Sequence, residues 1–171
     1  MKASVEINLR GLTDAVAPYA QGNDALAEII RTLADGTTDE SQVDGVYFAK
    51  LEPGAAATVT IDLSAITDSN GVAITATDMD LLAFFTPATP GIGLGSANGD
   101  NVEIGPNAAN GFLGPWKAAA NRNVLTPKGL LLFMEPASGY VIDGTHKIID
   151  VINTDAGAVA VVYVFALVRS A

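Results

Sequence analysis

Val5, Ile7 and Leu9 alternate with Ser4, Glu6 and Asn8 over residues 3–9, the period of a strand with one buried face. The next patterned stretch reads differently. Leu26, Ile29, Ile30 and Leu33 stand at i, i+3, i+4 and i+7, which predicts a short helix over 23–35 with one apolar stripe. Asn23 or Asp24 can cap its start and Gly36 its end. A helix with so narrow a stripe must dock on something, its own sheet or a neighbouring subunit, so these four residues are candidate interface positions.

Residues 35–45, "DGTTDESQVDG", are acidic and turn-rich and read as a linker. Beyond them the period becomes two. Strands are expected at 45–51, 57–66, within 72–86, at 101–105, within 123–135, and at 139–143, 146–153 and 158–168. Val59, Ile61 and Leu63 point one way in the second of these, and Thr58, Thr60 and Asp62 the other. The run "AGAVAVVYVFALV" (156–168) is apolar at almost every position, as in a strand covered on both faces at the centre of a sheet. Residues 87–100 form a long Gly/Pro loop. About eight short strands with turns between them predict an all-β fold, an antiparallel β-sandwich or jelly roll. The expected organisation is an N-terminal arm of strand plus helix over 1–42 and a β-sandwich domain over 43–171.

Charge and composition narrow the function. The chain has 171 residues and a formal net charge of −10, so a phosphate backbone or an anionic membrane surface would repel it. No nucleic-acid or membrane partner is expected. There is no Cys, hence no disulfide framework and no thiolate metal site. The start, "MKASVEINLRG", lacks the apolar run of a secretory signal, and the longest apolar run is too short for a membrane-spanning helix.

Candidate chemistry is sparse. "TDSNG" (67–71) carries Asp68-x-Asn70-Gly71, but the positions where a calcium loop places its end carboxylates hold Ile66 and Thr77. A hairpin turn is the better reading. His146 is the single histidine; "DGTH" reads as a turn opening a strand, and Ser138 has no strand-to-helix elbow around it. "GIGLG" (91–95) lacks the Lys-Ser/Thr of a phosphate loop. Asp78 and Asp80 form a close pair that alternation places on one exposed face. No catalytic residue, cofactor or metal site is expected. The segment "NVEIGPNAANGFLGPW" (101–116) holds Phe112 and the only Trp, Trp116. Three readings stay open. The two rings cover an edge of the core, or stack on a sugar whose hydroxyls Asn107 and Asn110 bind, or anchor a neighbouring subunit.

The pieces "ATVTIDLSAITDSNG", "VEIGPNAANGF", "VLTPKGLLLFMEP", "SGYVIDGTHKIIDVINT" and "GAVAVVYVFALV" occur in that order over 57–171. Together they resemble a family of small tailed-phage proteins encoded near virion structural genes. Lys128 stands where that family usually has a second glycine, and the close "LVRSA" replaces a frequent "I-x-G". The resemblance implies a non-enzymatic virion component, a head decoration or cement protein on the phage head surface, made in the host cytoplasm. It also implies a homo-oligomer, with a trimer favoured, and contacts to the major capsid protein or other virion proteins. The alternative it leaves is a carbohydrate- or receptor-binding module of tail, fibre or spike. Leu26, Ile29, Ile30, Leu33, Phe112 and Trp116 are the candidate interface.

Overall fold

The computed structural model describes residues 3–11, 25–35, 42–68, 71–86, 102–135 and 138–170, with backbone alone for 3–11, 25–35 and 42. The loop 87–100, with "GIGLG", and most of the linker lie outside the described residues. The chain divides into two compact units, Met1–Asp35 and Gly36–Ala171; the sequence suggested a boundary at 42/43.

The first unit is a ribbon of two strands, β1 (Ala3–Gly11) and β2 (Ala25–Asp35). They pair antiparallel with Ala3 opposite Leu33, Ile7 opposite Ile29 and Gly11 opposite Ala25. The helix expected over 23–35 is therefore replaced by a strand. A lone β1 would leave a row of N–H and C=O groups unpaired, and β2 supplies the partners. Ile29, Ile30 and Thr32 are β-branched and stiff in a helix. In a strand, positions 26 and 30 alternate in face with 29 and 33, so the single stripe of candidate interface residues does not form.

The second unit is all-β and antiparallel, as its alternation predicts. In chain order it holds β3 (Gln42–Val43), β4 (Gly45–Leu51), β5 (Thr58–Asp62), β6 (Ile66–Thr67), β7 (Ala73–Ile74), β8 (Ala76–Phe85) and β9 (Val102–Pro106). There follow β10 (Asn123–Leu125), β11 (Leu130–Met134), β12 (Tyr140–Val141), β13 (Ile148–Asn153) and β14 (Val162–Ser170). Among the described residues the one helical turn is Leu63–Ala65, capped by Asp62 Oδ1, which accepts from Ser64 N at 3.0 Å.

Nine of these strands form two sheets. One runs β11-β8-β14-β4, with β12 also on β8; the other runs β10-β9-β13-β5. The apolar run at the C-terminal end, β14, is an inner strand, flanked by β8 and β4. Both sheets feed one apolar cluster. Ile61, Val102, Ile104, Ile149 and Val151 come from one, and Met79, Leu82, Phe84, Val162, Val164 and Ala166 from the other. Each of these side chains is worth about 1.5–3 kcal/mol on burial, the main force holding the unit together.

Two turns show how local chemistry serves this plan. In the β6–β7 hairpin, Gly71 has φ +81° and Gly71 N donates to Asp68 O at 3.0 Å, in keeping with the turn read from "TDSNG". Before β11, Gly129 N donates to Thr126 O at 2.9 Å, and Lys128 between them has φ +62°. With Pro127 at its second position, this turn needs a left-handed third residue, where glycine is at ease and lysine is not.

Candidate functional site

The segment from 107 to 122 is folded down onto the protein. Gly111 bridges to Ile148 of β13, and Asn110 O accepts from Lys147 N and Ile148 N at 3.0 and 2.9 Å. A Cβ on Gly111 would lie 2.2 Å from Asn107 O, so the approach needs glycine. Phe112 is then fully buried and Trp116 is 4% exposed. The Phe112 ring meets Trp116 and Tyr140 edge-on at 6.4 and 6.2 Å, and Trp116 packs on Phe133 at 5.0 Å. These rings close the end of the core. Neither is available as a sugar platform or subunit anchor, and the two leave the candidate interface. Asn107 is likewise committed inward. Its Nδ2 donates to both carboxylate oxygens of Asp150 at 3.2 Å, beneath Arg122, whose Nη2 lies 3.7 Å from Asp150 Oδ2.

Beside this segment lies an open groove of about 330 Å³, lined by Leu113, Gly114, Lys117, Tyr140, Asp143 and His146 among others. Asp143 is exposed but heavily engaged. It accepts from Thr145 N at 2.7 Å, Thr145 Oγ1 at 2.8 Å and His146 N at 2.8 Å. The His146 ring completes the set, with Nδ1 3.0 Å from Oδ2. The ring bond from His146 first, then the Thr145 and His146 donors, hold the Asp143 carboxyl well below the usual carboxylate range. "DGTH" is thus a carboxylate-capped turn ahead of β13, as its sequence suggests. The imidazole Nδ1 contacts Asp143 and Thr145 Oγ1, the latter at 3.1 Å.

The acidic pair is covered, not exposed. Register slips between β14 and β8: Leu167 faces Leu81 and Val168 faces Met79, so Asp80 has no opposite residue in β14. Asp78 meets Arg169 Nη2 at 3.1 Å, while Asp80 is 1% exposed. The expectation that both would be solvent-exposed fails because they are covered: Gly139 packs against both side chains, where a Cβ would lie 3.0 Å from Asp78 Cβ and 3.1 Å from Asp80 Oδ1. Among the described residues no group of three metal-capable side chains comes together, and no helix is long and apolar enough to cross a membrane.

The outer faces of the two sheets differ. Thr58, Thr60, Asp62, Glu103 and Asp150, with Val124, Ile148 and Ile152, stand on the β10-β9-β13-β5 side, which is mixed and carries no aromatic ring among these positions. The other sheet carries Phe48, Tyr163, Phe165, Phe85 and Leu130, of which Phe48 and Leu130 are 51% and 60% exposed. Tyr163 stacks on Phe85 at 5.2 Å and on Phe48 at 6.0 Å. This face was not singled out from sequence, although the unalternating run 156–168 contained the signal. A strand apolar at every position has an apolar outer face as well as an inner one.

No protein-family model matches the chain, and no curated protein matches its sequence.

Proposed function

We propose that the chain is a phage virion structural protein, a decoration or cement protein that bridges capsid subunits as an oligomer. The observation that carries this reading is the aromatic outer face of the β11-β8-β14-β4 sheet. Antiparallel sheets normally leave such a face polar. A cluster of Phe48, Phe85, Phe165, Tyr163 and Leu130 there is what an adhesive surface needs. The strand order supports the same reading. With β4, β5, β8, β9, β10, β11, β13 and β14 counted as one to eight and β12 left aside, the sheets run 1-8-3-6 and 2-7-4-5, which supports reading the unit as a jelly roll, a fold of viral capsid and lectin domains. Fold alone assigns no role; the resemblance of 57–171 to small virion proteins gives this one its direction.

Copy counting by mass spectrometry in purified particles tests it. A cement role expects a number comparable to the major capsid protein; a handful of copies places the chain in neck, tail or fibre. The receptor-binding reading loses its Phe112–Trp116 platform but gains another surface.

A further inference from the structure

We propose that the groove between Tyr140 and His146 binds a neutral hexopyranose. The proposal does not depend on where in a particle the protein resides.

The groove is preorganised from two sides. Tyr140 is held by the edge-on Phe112 ring and by the Gly114 backbone, where a Cβ would lie 2.9 Å from the Tyr140 ring carbon. His146 is fixed by its bond to Asp143. A carboxylate only accepts, so Nδ1 carries the proton in that bond and Nε2 is left as a bare acceptor in the neutral ring. Lys117 also lines the groove, with φ +66° and its N–H donated to Leu113 O at 2.7 Å. A non-glycine residue in that region stores strain, and such strain gathers where a side chain must be aimed.

Ligand class follows from what the groove offers. An anion would face Asp143 and a chain of net charge −10. A cation would find that carboxylate already taken by backbone, hydroxyl and imidazole donors. What remains is a half-buried tyrosine ring flanked by Leu113 and Val141, with one acceptor at His146 and one donor at Lys117. A pyranose ring matches this: its C–H face lies on an aromatic, and its hydroxyls both give and take hydrogen bonds. The volume is at the lower end of the ~300–1,000 Å³ typical of small-molecule sites, enough for one sugar ring.

Saturation-transfer NMR on the full chain, with the methyl α-glycosides of glucose, galactose, mannose and N-acetylglucosamine at millimolar concentration, tests this. At least one should receive transfer. Affinity should fall roughly tenfold in His146→Gln, the loss of about one hydrogen bond, and further in Tyr140→Ala. Phe48→Ala should bind as the native chain does. Absence of transfer to all four sugars overturns the proposal. So does binding that persists unchanged in His146→Gln, an accessible position whose substitution leaves the core intact.

Discussion

Asn107 Nδ2 donates to both oxygens of the Asp150 carboxylate, at 3.2 Å each, from a position outside the sheet to one in the middle of β13. Thr60 Oγ1 adds a third hydrogen bond at 3.2 Å, and Asp150 is 7% exposed. The cluster pins the descending segment to the outer side of the sheet. Asp150→Ala would leave Asn107 and Arg122 without their shared acceptor. A loss of about 3 kcal/mol is expected in urea unfolding, against about 1 kcal/mol for Asn107→Ala. The double variant should fall short of the sum, because the two share one interaction.

Trp116 serves as a core residue. Its fluorescence should be blue-shifted and poorly quenched by iodide in the native chain. Trp116→Ala should cost about 3–5 kcal/mol by emptying the space against Phe133. Trp116→Phe should leave sugar binding and self-association unchanged, which separates packing from recognition.

The Asp143 carboxyl has a lowered folded-state pKa, against 3.8 as its ordinary value, chiefly through the His146 ring. A depressed acid contributes stability above its unfolded pKa and loses it as pH falls through that value toward the folded one. Thermal midpoints of the native chain and Asp143→Asn should therefore differ at about pH 5–6 and converge below about pH 4. A gap that stays constant down to pH ~2 would contradict the linkage.

Lys128 occupies a left-handed turn position at φ +62°. Lys128→Gly should raise stability by up to ~1 kcal/mol, read as a higher urea midpoint at unchanged slope.

Phe48 lies at the edge of the aromatic face, 51% exposed and stacked on Tyr163. Phe48→Asp should leave the fold intact while lowering association with purified heads or other copies by at least about tenfold, as expected for an interface anchor. Sedimentation reports the self-association and co-pelleting the attachment. Unaltered behaviour in both would remove this face from the adhesive reading.

Strands after residue 43 were legible because each carries its own period, as Val59 and Ile61 show against Thr58 and Thr60. Four features were not. The spacing of Leu26, Ile29, Ile30 and Leu33 fits a helix locally, and only the distant row of partners on β1 settles the matter. Burial of Phe112 and Trp116 follows from Gly111 resting on Asn107 and from contact with β13, none of which a loop-like composition discloses. The groove joins Lys117 and Leu113 to Tyr140 and His146, residues from separate segments, so no local motif announced it. The cover over Asp78 and Asp80 comes from Gly139, far along the chain.

The placement of β14 between β8 and β4 has a consequence for biosynthesis. Until residues 162–170 clear the ribosomal tunnel, the sheet that carries the aromatic face has a vacant lane through its middle. Nascent chains must wait with that gap open, so chaperone dependence should concentrate in the interval between the synthesis of β8 and that of β14.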